Sequence, residues 1–289
     1  MRLSQHARRL LKLWTPPIVV SLGWRVWNAV RSNREYSGTL ELKRSGLRWR
    51  LDMESAIARS IIRTGVWEPD TTRVVLDCVK PGMHVLSIGA NIGYFAMLMA
   101  RSVGPTGRVW AFEPTKKFRK QLEWNIEANK LASRVTILPF GLSDHAKSAE
   151  IEMMAQSASM HFPPNLPRIG TESIELKQLD IVAADLGIEK IDFIQMDIDG
   201  HEAAFLRGAK QLLRKHVPPI AMEFSQACLY FAGSDVREVK KLLNELGYEI
   251  WSEKTRLPFK DEYEFLLECG NFSRHANAIA LRRGAADLC

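Results

Sequence analysis

HVLSIGANIGYFAMLMA, residues 84–100, decides how this chain is read. An apolar strand, His84 to Ile88, runs without a spacer into Gly89-Ala90-Asn91-Ile92-Gly93, and an apolar helical stretch follows. Glycines at 89 and 93 let the backbone turn sharply and let another group approach where a Cβ would stand. The next helix points its N-terminus, with its unpaired N–H groups, at the same place. A second apolar strand ends in Trp110-Ala111-Phe112-Glu113-Pro114, which puts Glu113 24 residues after Gly89. An acid at that strand tip is suited to accept hydrogen bonds from ribose hydroxyls. A dinucleotide fingerprint asks for G-x-G-x-x-G. Here Asn91 holds the second glycine position and the spacing is G-x-x-x-G. That leaves less room for a pyrophosphate than for a nucleoside with a short amino-acid tail. A tight turn that binds nothing is the plainer alternative.

Outward from this loop, strands alternate with helices. Met83–Ile88, Gly107–Phe112, Val135–Phe140, Ile191–Met196 and Ile220–Phe224 read as strands. Gly93–Val103, Lys116–Asn129, 201–215 and Val236–Leu246 read as helices. Tyr248–Trp251, Glu264–Glu268 and Ala276–Leu281 read as the last strands. The pattern predicts an α/β, Rossmann-like fold with a mostly parallel sheet covered on both faces. Such sheets bind ligands at the carboxyl ends of their strands, where strand order reverses. Upstream, alternation on both sides of Ser45-Gly46 predicts a hairpin over residues 38–53, then helices at about 54–63 and 70–79. The Pro-rich stretch 157–170, with His161, Phe162 and Arg168, reads either as an insertion over the acceptor or as an ordinary surface loop. Four segments result: 1–36, a basic amphipathic piece; 37–64, hairpin and helix; 65–283, the main domain; and 284–289, a tail.

Composition narrows the class. The chain has 289 residues and 46% hydrophobic content, enough for one sizeable core. Cys78, Cys228, Cys269 and Cys289 form no CxxC pair, so no zinc site or disulfide framework is expected and a reducing compartment fits. Net charge is +7, but residues 1–35 hold seven basic residues against Glu35, and the remainder is nearly neutral. A nucleic-acid protein would spread basic residues over its body, so no nucleic-acid partner is expected. The longest uncharged run in the tail, Leu13 to Trp24, has 12 residues. A spanning helix needs about 20, and Pro16-Pro17 interrupts this one. Trp14, Trp24 and Trp27 among the basic residues fit two short pieces lying in anionic headgroups. A helical pair packed on the domain is the alternative. The expected location is cytoplasmic, with peripheral contact at the inner membrane.

A second constellation is Ile191-Asp192-Phe193-Ile194-Gln195-Met196-Asp197-Ile198-Asp199-Gly200-His201-Glu202. It puts three carboxylates and an imidazole at the carboxyl edge of the sheet. A hydroxyl is a poor nucleophile until its proton is drawn off, and a positioned Asp or His does this. Asp197 is favoured by position and His201 by its ordinary pKa. Glu223, ending Ile220-Ala221-Met222-Glu223-Phe224, is a third catalytic candidate. The bland alternatives are that Asp199 and Glu202 cap a helix and that His201 is solvated. The Asp-x-Asp-Gly fragment is similar to part of a calcium loop, but the rest of that spacing is absent and no metal is expected.

These pieces, VLSIGANIGYF, VWAFEP, ILPFGLSD, IDFIQMDIDGHEAAFLRGA and IAMEF, together resemble the FkbM family of S-adenosylmethionine-dependent methyltransferases over about residues 65 to 283. The resemblance implies a class I methyltransferase fold with a seven-stranded sheet. It implies O-methylation, mostly of hydroxyls on sugars or polyketide-type natural products. By motif position, Gly89, Asn91, Gly93 and Glu113 contact the cofactor. Ser143 and Asp144 lie near its adenine, and Asp197 lies beside the transferred methyl. Ser87 stands where the family usually has an acid for the methionyl ammonium, and Gln195 where a lysine is common. The expectation is an O-methyltransferase acting on a sugar hydroxyl in a glycan, glycolipid or related natural product. The alternatives are a cofactor-binding or scaffolding relative without turnover and, further off, a nicotinamide-dependent oxidoreductase.

Overall fold

The computed structural model of the protein describes residues 39–287, apart from 54, 155, 156, 163 and 165. The segment 1–36 and the end of the tail therefore lie outside the described residues. The chain opens with a hairpin, β1 (Thr39–Arg44) and β2 (Leu47–Asp52), and two helices, α1 (Ala56–Thr64) and α2 (Pro69–Cys78). Then come β3 (His84–Ile88), α3 (Tyr94–Ser102), β4 (Arg108–Phe112), α4 (Lys116–Ala128) and β5 (Val135–Leu138). A run of strands follows: β6 (Gly141–Leu142), β7 (Lys147–Met153), β8 (Ala158–Ser159) and β9 (Gly170–Lys177). After α5 (Leu179–Asp185) and β10 (Phe193–Met196) stand α6 (Glu202–Gly208), α7 (Lys210–His216) and β11 (Ile220–Phe224). The last elements are α8 (Gln226–Phe231), α9 (Val236–Glu245), β12 (Tyr248–Ser252), α10 (Glu262–Cys269) and β13 (Ala276–Arg282).

The main sheet has seven strands in the order β12-β13-β11-β10-β3-β4-β5. Only β13 runs antiparallel to its neighbours. The order reverses between β3 and β10, so the loops leaving these two strands diverge and open a crevice. The period of two splits the strands between faces. Val85, Val109 and Phe193 enter one apolar cluster, while Leu86, Ile88, Phe112 and Ile194 enter the other. This is the mostly parallel, Rossmann-like α/β sheet expected from the alternating pattern, with the seven strands that the family resemblance implies.

Four details depart from the expectations. Glu264–Glu268 is not a strand but the body of α10, started by Asp261, whose Oδ1 accepts the Glu264 N–H at 2.8 Å. That cap outweighs a short apolar run with no period of its own. The helix at 201–215 breaks into α6 and α7 at Ala209. Residues 141–177 build a second sheet, β6-β9-β7-β8, with Ile151, Met153, Ile174 and Leu176 turned into the core. The Pro-rich stretch is thus partly pinned by β8 and β9. Cys78 is disulfide-bonded, which its spacing did not suggest, while Cys228 and Cys269 are free and buried. Among the described residues no helix is long and apolar enough to cross a membrane.

The hairpin is stitched to the sheet's outer helix by two asparagines. Asn125 Oδ1 accepts the Arg50 N–H at 2.7 Å, and Asn129 Oδ1 accepts the Arg48 N–H at 2.8 Å. Asparagines four apart on α4 are about 6 Å apart along its axis, which matches two residues on strand β2. They finish an edge that would otherwise be unpaired. Asn125 Nδ2 also donates to the Ile92 carbonyl at 2.8 Å, so the same fully buried side chain steadies the glycine loop. Asn125→Ala is expected to cost about 2–3 kcal/mol because buried backbone groups lose their partners. Asn129→Ala, at a more exposed point, is expected to cost less. Urea denaturation of the two variants measures both values, and equal losses would contradict this ordering.

Candidate functional site

The glycine loop is shaped first by the protein itself. The N–H groups of Gly89 and Ala90 both donate to the Phe112 carbonyl, at 3.0 and 2.9 Å. Gly89 has φ +74°, and a Cβ there would lie 1.8 Å from the Asp197 carbonyl oxygen. Glycine is required because the ends of β3 and β10 nearly touch. Asn91, also left-handed at φ +50°, donates its N–H to Glu113 Oε2 at 2.8 Å. Glu113 Oε1 accepts the Thr115 N–H and hydroxyl at 2.9 and 2.6 Å. Burial pushes the Glu113 carboxyl up, and the bonds from Thr115 and Asn91 offset only part of that rise. A carboxylate offers about four acceptor sites. With three filled, one is left for a ribose hydroxyl.

A cavity of about 860 Å³ opens above this edge. Of the residues singled out from sequence, Gly89, Asn91, Glu113, Asp197, His201 and Glu223 line it. Ser87, Gly93, Ser143 and Asp144 do not. Ser87 is fully buried, and its hydroxyl donates to Gln195 Oε1 at 2.9 Å. The two face each other in register across β3 and β10. The two sequence departures are therefore one neutral pair inside the sheet. Gly93 packs on Leu122. Ser143 donates to Asp144 Oδ1 at 3.1 Å, which leaves His201 Nε2 as donor to Ser143 Oγ at 3.0 Å. Asp144 also meets His145 and Arg207.

The far end of the cavity is acidic. Asp197 is raised well above the ordinary carboxylate range by burial and by Glu223, Asp199 and Glu68. Asp199, left-handed at φ +45°, is raised to about 7 by burial and Glu223, with His275 opposing. Glu223 Oε1 pairs with His275 Nδ1 at 2.8 Å, and Glu223 raises His275 to about 9, so the imidazole is charged at neutral pH. His201 goes the other way, to about 4, through burial and then through His161, which stacks on it at 6.0 Å. Glu68, the N-cap of α2, is raised to about 8 by burial and Glu223. Ligand atoms of Asp199, Glu223 and His275 lie within 4.8 Å of one another, a spacing that admits a cation, although the imidazole already balances Glu223.

Glu68 and His275 escaped the sequence reading. Glu68 had a short-range signal, since Glu-Pro before a helical pattern marks a helix start. His275 had none: the register of β13 beside β11 brings it to Glu223.

The seven-strand topology and this cavity define a class I methyltransferase. The profile of the methyltransferase FkbM domain matches residues 87–250, and the chain belongs to the FkbM methyltransferase family. Methyltransferase sdnD of Sordaria araneosa is 24% identical over 201 residues, covering 59% of this chain and 75% of that protein. The 2-O-methyltransferase NoeI of Sinorhizobium fredii is 25% identical over 177 residues, covering 57% and 72%. The AMB antimetabolite synthetase AmbE of Pseudomonas aeruginosa is 25% identical over 209 residues, and the chain spans about 10% of its length. Among solved structures, a SAM-dependent O-methyltransferase from Thermotoga maritima aligns with 17% identity and a TM-score of 0.46, covering 86% of this chain and 79% of that one. The family's cofactor is S-adenosylmethionine. The residues present fit it: Glu113 offers an acceptor to ribose, and the acidic end suits an ammonium and a sulfonium.

The buried acids also set the pH dependence of stability. Glu202 is almost fully buried, Oε1 accepts the Gly200 N–H at 3.2 Å, and Oε2 has no partner. Burial raises it from 4.5 to about 8. A raised carboxyl contributes its stability below pH 4.5 and loses it as pH rises through about 8. The melting temperature of Glu202→Gln is therefore expected to fall less than that of the wild type between pH 5 and pH 8. Parallel curves would show that Glu202 ionises at its ordinary value.

Proposed function

We propose that this methyltransferase acts on a hydroxyl oxygen of a sugar in a glycolipid, glycan or related natural product. The observation that carries the reading is the acid-lined end of the cavity, where Asp199 titrates near neutrality beside the Glu223–His275 pair. When bound, S-adenosylmethionine supplies an electrophilic methyl group. The chain's residues then position the acceptor and take its proton. A general base works best with a pKa near the operating pH. Asp199 meets that condition, and Glu223, paired with His275, stands behind it. Asp197, nearest the glycine loop, borders the same space. His201, hydrogen-bonded through Nε2 to Ser143 and lowered to about 4, serves better as wall than as base.

The walls speak for an amphipathic acceptor. Met154, Met160 and Phe162 line the cavity, as does the aromatic cluster of Tyr230, Phe231 and Phe272. Apolar walls with a few convergent polar groups are how small-molecule sites orient a ligand. The name of NoeI, a 2-O-methyltransferase, supports transfer to oxygen. Loss of turnover had rested on Ser87 and Gln195, and neither side chain faces the cavity.

Incubation with methyl-labelled cofactor and membrane glycolipid fractions tests the reading. Label is expected in a lipid-extractable glycan, with Asp199→Asn roughly 100-fold slower, the scale of a lost general base. Transfer no greater than a boiled control contradicts it.

The basic tail, outside the described residues, is proposed to rest on anionic lipid. Deletion of residues 1–35 is expected to abolish sedimentation with phosphatidylglycerol vesicles and to leave the melting temperature unchanged. Persistent sedimentation refutes the anchor.

A further inference from the structure

The cofactor's amino-acid end carries an ammonium, and a buried cation needs a counter-charge. Ser87, at the strand end where an acid would be convenient, points into the sheet and is hydrogen-bonded to Gln195. Five carboxylates line the cavity among the described residues: Glu68, Glu113, Asp197, Asp199 and Glu223. Glu113 is occupied by Asn91 and Thr115. Glu223 is paired with His275, and Asp199 adjoins that pair. Glu68 and Asp197 remain without an ion pair among the described residues.

Glu68 is held for a purpose other than capping. As N-cap of α2 it makes no side-chain cap bond. Its backbone is left-handed, at φ 42° and ψ 78°, a conformation a glutamate adopts at some cost. Its Oε2 accepts instead from Asn277 Nδ2 at 3.1 Å, and Asn277 is the register partner of Glu223. The same turn is tied to the glycine loop. Thr72 N donates to the Glu68 carbonyl at 2.8 Å, and the Thr72 hydroxyl shares a hydrogen bond of 3.1 Å with Tyr94, the first residue after Gly93. The carboxylate is thus held to β13 through Asn277, and the turn that carries it is tied to the start of α3 through Thr72 and Tyr94. Its charged neighbours are the acids Glu223, Glu253 and Asp197 and the imidazole of His275, which already pairs with Glu223.

We propose that Glu68, with Asp197 across the cavity, receives the ammonium of the cofactor's amino-acid moiety and so fills the role that Ser87 leaves open. Glu68 stands outside the segment 87–250 matched by the family profile. The pairing rests on S-adenosylmethionine being the cofactor. It also explains how closely spaced acids are tolerated: the ligand brings the missing positive charge.

Two nucleoside probes test it by titration calorimetry on the full chain. S-adenosylhomocysteine keeps the ammonium, and 5′-methylthioadenosine lacks the amino-acid moiety. Glu68→Gln is expected to weaken S-adenosylhomocysteine by about 10- to 100-fold, the scale of a charged hydrogen bond, and to leave methylthioadenosine within about twofold. Retained methylthioadenosine binding also reports an intact fold. Equal weakening of both probes, or of neither, overturns the assignment. Wild-type protein that binds neither probe overturns the cofactor reading itself.

Discussion

A Cβ at residue 89 would sit 1.8 Å from the carbonyl oxygen of Asp197, and much of the site follows from that near contact. It joins the ends of β3 and β10 at the point where strand order reverses. The loop after β3 cannot spread over the crevice, and the chain after β10 cannot retreat from it. Glu113 completes the frame from β4, linking Asn91 to Thr115 through its two oxygens. The frame is rigid because each of its bonds is buried or half-buried. It leaves little besides side chains at strand tips to adjust to a ligand.

Those tips are acidic, and their proximity governs the chemistry. Burial and the neighbouring Glu223 carboxylate raise Asp197, Asp199 and Glu68 above the ordinary carboxylate range. Such a set cannot all be ionised in a low-dielectric pocket without cations. His275 supplies one, raised to about 9 and paired with Glu223 at 2.8 Å. When bound, S-adenosylmethionine would bring an ammonium and a sulfonium to the same end of the cavity, beside the residues proposed to hold it and to accept the departing proton.

The sheet was legible because its strands are buried on both faces and bounded by glycine or acid. The spans predicted for the main-sheet strands agree with the structure to within two residues. Glu113 and Asp197 were legible for the same reason: an acid that ends an apolar run has nowhere to be except the carboxyl edge. The strands at 147–177 were missed because their exposed faces carry mixed charge and their pairing is set by a neighbour far along the chain. Glu264–Glu268 misled because a short apolar run has no period of its own, and only the Asp261 cap reveals the helix. The Glu-Pro at 68–69 marked a helix start, but the place of Glu68 and His275 in the site depends on contacts of large sequence separation, with Asn277 and with Glu223, which no local pattern encodes. The departures at Ser87 and Gln195 were visible, but their mutual hydrogen bond needed the register to be known.

A crystal structure with S-adenosylhomocysteine bound tests the central claim most directly. The account predicts the ribose at Glu113 and the sulfur turned toward the Asp197–Asp199 end of the cavity. A nucleoside lying elsewhere, or a sulfur facing away from these carboxylates, would contradict it.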